Sequence, residues 1–160
     1  MSQELFTSAA IVPREDWPTV LFVAASEVFS MMVGGEVTMS QQECHVGESV
    51  AGTVGIAGAV RAGLTLRCGR SAAIRIASQM LGVPMQQAEE HGCDAVGEIC
   101  NMVAGHFKAK IGLESQCVLS VPLVIRGNDY HIERVKKGEH IALTLNYEGE
   151  LLDIALDIHP

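Results

Sequence analysis

"DAVGEICNMVAGHFK", residues 94–108, decides how the rest of the chain is read. At about 100° per residue, Val96, Ile99, Cys100, Val103, Phe107 and Ile111 gather on one side of a helix, a complete apolar face. Asp94, Glu98, Asn101, Gly105 and Lys108 fall within an arc of roughly 80° on the other side. None of them is needed by the core, so the stripe they form faces water or a partner. Asp94 alone reads as an N-cap after a break at Gly92, and Glu98 as a first-turn acid favoured by the helix dipole. Asn101 and Gly105 suit a merely solvated face poorly. Asparagine competes for backbone hydrogen bonds, and glycine costs a helix interior about 1 kcal/mol relative to alanine. A glycine does permit close approach of another molecule, and a carboxamide donates and accepts hydrogen bonds without titrating. The stripe therefore reads as a polar wedge offered to another molecule's site.

Working outward, "EDWPTVLFVAASEVFSMMVGG" (15–35) predicts a helix over about residues 17–33, with Asp16 as N-cap, Pro18 in the first turn and Gly34-Gly35 as the stop. Strand-like segments follow: "EVTMSQQEC" (36–44), "VAGTVGIAGAVR" (50–61) and "AGLTLRC" (62–68). "SAAIRIASQMLG" (71–82) predicts a second helix capped by Ser71 and stopped by Gly82. The helix of the opening stretch ends near "KIGLES" (110–115), and the remainder is strand-rich: "QCVLSVPLVIR" (116–126), "YHIERV" (130–135), "EHIALTLNY" (139–147) and "LLDIALDIH" (151–159). The last two form a predicted hairpin, with "EGE" as its turn and "GND" as an earlier one.

The 160 residues suffice for one domain with a substantial core. With 48% apolar residues but only 4% aromatic, that core is aliphatic. A net charge of −8 and scattered basic residues exclude a phosphate-backbone binder, so nucleic acid is not an expected partner. The first residues, "MSQELFTSAAIVPRED", lack a basic segment followed by an apolar one, and "VLFVAASEVFSMMV" is too short to span a bilayer and contains Glu27. A soluble cytoplasmic protein without membrane partners is expected. Five cysteines without a CxxC pair fit free thiols in a reducing compartment. "ECH" (43–45) and "HGC" (91–93) lack the spacing that organises a zinc site, so no metal is assigned. No GxGxxG, phosphate-loop, HExxH or GxSxG pattern occurs, and no nucleophile accompanies the stripe.

Internal similarity adds a second clue. "SEVFSMMVGG" (26–35) aligns without gaps with "GEICNMVAGH" (97–106), matching Glu27 to Glu98, Met31 to Met102 and Gly34 to Gly105. "GLTLRC" (63–68) and "IALTLNY" (141–147) share a Leu-Thr-Leu core. The expectation is a divergent duplication: one domain over 1–160 made of two pseudo-equivalent halves, about 15–82 and 88–158, each a long helix plus antiparallel strands. The fold class is α+β, helices packed on the sheet. Where the second half has Asn101, the first has Ser30.

The pattern in "DAVGEICNMVAG" (94–105) resembles the signature helix of the CheC, CheX and FliY chemotaxis phosphatases, which dephosphorylate the response regulator CheY. "MMVGGEV" (31–37), "GLTLRCGRSAAIRIASQMLG" (63–82) and the terminal hairpin suit the same family. Having the motif complete in one half only, the chain is most similar to CheX. The resemblance implies that Asn101 holds the water attacking the receiver's aspartyl phosphate and that Glu98 pairs with the receiver's active-site lysine. Asp94 has a supporting role in partner binding, with Gly105 and Lys108 on the same surface. No cofactor belongs to the chain itself; Mg2+ is expected in the phosphorylated CheY-like receiver domain. A homodimer is implied as well. The alternative is a receiver-binding or flagellar-switch scaffold that keeps the helix as a docking surface without turnover.

Overall fold

Among the described residues, the first long element, helix α1 (Trp17–Val28), follows a single 3-10 turn at Arg14–Asp16. The computed structural model describes residues 10–44, 47–133 and 137–160. Pro18 lies in the first turn of α1, where its missing N–H breaks no helical bond. Asp16 holds the N-cap position, but its side chain makes no capping bond, since its backbone is already wound into the 3-10 turn. Beyond Val28 the helix widens into one π turn, Phe29–Val33, and the Gly34 N–H closes it on the Phe29 carbonyl at 2.9 Å. Gly34 ends it in the left-handed conformation, at φ 80°. By length and composition Arg14–Val33 is apolar enough to cross a bilayer, at mean hydropathy 1.2. In the fold its Leu21, Ala24, Ala25, Val28 and Phe29 are wholly buried inside the protein.

Strands β1 (Val37–Ser40), β2 (Glu48–Gly58) and β3 (Arg61–Gly69) come next, then α2 (Arg70–Leu81), the single turn α3 (Met85–Ala88) and α4 (Gly92–Lys110). Strands β4 (Cys117–Leu119), β5 (Leu123–Asn128), β6 (Glu139–Tyr147) and β7 (Glu150–His159) complete the order. The seven strands of the described residues join one antiparallel sheet ordered β1-β6-β7-β3-β2-β4, with β5 also paired to β2. Period-two alternation turns Leu64, Leu66 and Cys68 of β3 and Leu152, Ile154, Leu156 and Ile158 of β7 toward the helices. The fold is thus α+β, a sheet with α1, α2 and α4 layered on one face. Hairpins β2–β3 and β6–β7 meet along β3 and β7, and each outer strand takes a short strand that follows a long helix: β1 on β6, β4 and β5 on β2. The two Leu-Thr-Leu segments lie on β3 and β6, which hold different places in their hairpins.

Several sequence expectations are corrected. "QCVLSVPLVIR" is two strands, because Pro122 has no N–H to give the ladder. Ser120 fills the break: its N–H bonds the Gly55 carbonyl and its hydroxyl accepts the Gly55 N–H, each at 2.8 Å. "EVTMSQQEC" pairs only over Val37–Ser40. Of "YHIERV", residues 130–133 form no strand and 134–135 lie outside the described residues; Tyr130 instead lies over the Arg67 guanidinium at 5.2 Å. Ser71 does not cap α2, whose N-cap is Gly69; the Ser71 hydroxyl reaches Glu150 Oε1 at 2.9 Å. Gly92 does not break the chain before α4 but opens it, and Asp94 sits inside the first turn instead of capping it. The reason is packing: a Cβ on Gly92 would stand 3.2 Å from the Ala73 Cβ, so the absence of a side chain there lets the start of α4 lie close against α2.

Another close approach fixes α4 on the sheet. A Cβ on Gly52 of β2 would lie 3.2 Å from both the Val96 carbonyl oxygen and the Cys100 Cβ. Gly52→Val is expected to push α4 off the strand and lower stability by about 1–3 kcal/mol, as overpacking does, read as a lower urea midpoint.

Candidate functional site

Helix α4 presents its two faces as its sequence period requires. Val96, Ile99, Cys100, Val103 and Phe107 are buried, as is Ile111 just beyond the helix end. The Cys100 thiol donates to the Gly52 carbonyl at 3.3 Å, and burial pushes its pKa up to about 12. It is a neutral thiol facing the core, with no access to the polar side. On that side Asp94 and Glu98 are exposed, and Asn101, Gly105 and Lys108 half-buried. Asp94, Glu98 and Asn101 make no hydrogen bond or ion pair with other described residues. Lys108 differs: its amine donates to the Cys117 carbonyl at 2.9 Å, which ties the end of the ridge to β4.

The two glycines of the helix have different reasons. A Cβ on Gly97 would meet Val124 Cγ2 of β5 at 2.9 Å, so the sheet edge requires glycine there. At Gly105 the nearest atom would be Leu119 Cδ1 at 3.8 Å, an ordinary contact. The fold would accept a methyl group at Gly105, and the internal packing does not explain its glycine. The close fit at Gly97 was missed from sequence, since β5 is remote along the chain.

A cleft of about 200 Å³ lies between α2 and α4, walled by Met80, Leu81, His91, Asp94 and Glu98. On the side toward α1 a more open hollow is lined by Glu27, Gly105, His106 and Lys110. Among the described residues no three His, Cys, Asp or Glu side chains converge as metal ligands. Of the two weighed pairs, His45 lies outside the described residues, and His91 ends the turn just before α4 while Cys93 lies in its first turn. The five cysteines are free thiols.

Residues 50–146, more than half the chain, match the family model described as chemotaxis phosphatase CheX. The chain belongs to the CheX family. No curated protein matches it. Its fold is similar to that of chemotaxis protein CheX from Vibrio vulnificus (22% identical, 90% of this chain and 99% of that one, TM-score 0.75). A CheC-like superfamily protein from Shewanella sp. PV-4 is similar too (19% identical, 92% and 100% covered, TM-score 0.77). So is a chain of the CheX-CheY-BeF3-Mg2+ complex from Borrelia burgdorferi (19% identical, 92% and 100% covered, TM-score 0.71).

In this CheX-family chain the segment that aligns in sequence with the ridge is in a different state. Glu27, aligned with Glu98, accepts the Lys110 amine at 2.8 Å and stands 3.4 Å from His106 Nδ1. Ser30, aligned with Asn101, is exposed within the π turn, where the winding departs from that of α4. The hydrogen bond from Lys110, assisted by His106, holds the Glu27 carboxyl below its ordinary value of 4.5 against a smaller opposing effect of desolvation. A carboxyl whose folded pKa is depressed stabilises the fold above its unfolded pKa and loses that contribution as pH falls through the folded value. The stability gap between wild type and Glu27→Gln is therefore expected at pH 7 and should shrink below pH 4.5, measured by urea unfolding across pH.

Proposed function

We propose that the chain accelerates hydrolysis of the aspartyl phosphate of a CheY-like receiver domain by inserting the Glu98–Asn101 ridge of α4 into the receiver's active site. The observation that carries this reading is that Glu98 and Asn101, one turn apart on a rigidly seated helix, have no partner among the described residues. Family membership supports it, as does the Borrelia burgdorferi complex, whose name joins CheX to CheY, BeF3 and Mg2+. The same family resemblance extends the reading to a cytoplasmic homodimer.

Phosphoryl transfer asks little covalent chemistry of the protein, so placing a water in line is a sufficient contribution. Asn101 would do this through its amide, accepting and donating without bringing negative charge toward the phosphoryl group. Glu98 is suited to docking instead, because a carboxylate approaches a phosphate only with a cation between them. The receiver's lysine is that cation. Mg2+, bound in the receiver, would neutralise charge on the phosphoryl oxygens. Cys100, buried on the opposite side of the helix as a neutral thiol, offers no nucleophile to the ridge, in keeping with attack by water.

Asn101→Ala is expected to lower kcat for a phosphorylated receiver by about 10²–10³, equivalent to about 3–4 kcal/mol, with the melting temperature unchanged. Glu98→Ala should weaken receiver binding more than Asn101→Ala does. Dephosphorylation of the organism's receivers by wild type and Asn101→Ala is the test. A wild-type protein that binds a receiver without speeding phosphate loss would favour the scaffold reading, and unchanged turnover by Asn101→Ala would show that the working helix lies elsewhere.

A further inference from the structure

The ridge of α4 has an apolar border on each side. Along one border the chain after the helix runs antiparallel to it. The Lys108 amine reaches the Cys117 carbonyl, Leu119 packs beside Gly105, and Pro122 and Val124 stand beside Gly97. Residues 120 and 121 therefore pass at the level of Asn101. Ser120 is held against β2 by its two hydrogen bonds to Gly55, and Val121 is the next residue along this segment. At 87% exposure Val121 is the most exposed large apolar side chain among the described residues. Along the other border Leu81, the last residue of α2, is 53% exposed and shares its cleft with Glu98 and Asp94.

Both side chains stand on fixed supports. The loop at Val121 is held by the paired bonds of Ser120 on one side and by Pro122, whose φ is set by its ring, on the other. The end of α2 is closed by left-handed Gly82, by the Val83 N–H on the Ser78 carbonyl and by the Ser78 hydroxyl on the Val83 carbonyl. An exposed apolar group on a rigid support loses little entropy when a partner covers it, which is the condition for an efficient anchor.

We infer that Val121 and Leu81 are the apolar grips, one on each side of Glu98 and Asn101, that hold the receiver against the ridge. The inference rests on the proposed function and adds the residues that set receiver affinity. The occupant is the receiver domain itself, argued from continuity: the Leu81 grip and the docking carboxylate Glu98 line one cleft, and the Val121 grip stands level with Asn101. The receiver surface that fits carries apolar side chains on two sides of its phosphorylation site and a cation near its centre. Contacts of this kind are equal in ground and transition states, so they lower KM without changing kcat.

The test is steady-state dephosphorylation of the receivers by wild type, Val121→Ser, Leu81→Ser and Met39→Ser. Met39 is also 53% exposed but lies on β1, at the sheet edge away from β4 and β5. Val121→Ser and Leu81→Ser are each expected to raise KM about tenfold with kcat and melting temperature unchanged, as loss of a covered apolar side chain would. Met39→Ser should match wild type. Turnover with KM unmoved in both variants, or moved equally by Met39→Ser, overturns the grips while leaving the proposed function standing. If wild type binds a beryllofluoride-loaded receiver without turnover, Kd for that complex replaces KM and the same shifts are required. Neither binding nor turnover with any receiver overturns the proposed function and the grips together.

Discussion

The structure turns on how closely α4 lies against β2. Gly52 offers no side chain, so the Val96 carbonyl and the Cys100 side chain come down onto the strand, and the Cys100 thiol finds the Gly52 carbonyl as its acceptor. At the neighbouring strand Gly97 removes the same obstacle for Val124. Together these contacts set the rotation of the helix about its own axis. A turn of about 100°, one residue's worth, would drive the polar stripe toward the sheet and bring apolar side chains to water. Each fully buried Val, Ile or Phe is worth about 1.5–3 kcal/mol relative to exposure, so the observed rotation is strongly preferred. The outward direction of Glu98 and Asn101 is thus a product of the packing beneath them.

The two long helices show how one residue type acquires two states. Glu27 and Glu98 occupy matching places in the aligned segments, but Lys110 and His106 of α4 reach across to Glu27, and no described residue reaches Glu98. Glu27 therefore joins α1 to the end of α4, where Trp17 also meets Phe107 edge to face at 5.4 Å between centroids. Its acid serves the seating of the other helix. The π turn that follows changes the winding at Ser30, so this segment departs from its aligned stretch in α4 in geometry as well as in side chain.

Much of this was legible in the sequence because it is periodic. The apolar spacing from Val96 to Ile111 fixes the faces of α4, and alternation in residues 139–147 and 151–159 marks the last hairpin. What periodicity misses is contact between distant segments. Nothing local to Ser71 says that its hydroxyl will choose Glu150 over the helix end, or local to Lys108 that its amine will be taken by Cys117. Asp16 and Asp94 carry the right chemistry for caps, but the turn before α1 and the packing of Gly92 on Ala73 move the helix starts. Residues 130–133 alternate like a strand, yet Tyr130 finds Arg67 on the open face of the sheet, where no backbone ladder is available. The candidate site shows the same division: its polar stripe lies on one helix and is visible in the sequence, whereas the proposed borders, Leu81 and Val121, belong to other elements.

A ridge whose polar groups have no internal partner has a specific physical merit. Asn101 and Glu98 contribute no bond to the fold, so their placement depends on the apolar face and their chemistry is left free for another molecule. An asparagine already bonded within the protein would have to break that bond before it could orient a water, and a carboxylate already paired, as Glu27 is, would have to give up its cation before accepting a new one. Keeping both unpaired on an exposed helix avoids those losses, because bulk water satisfies them until a partner arrives. On the proposed docking, borders as apolar as Val121 and Leu81 would remove that water, which would strengthen the electrostatic interactions of Glu98 and isolate the one water that Asn101 would retain.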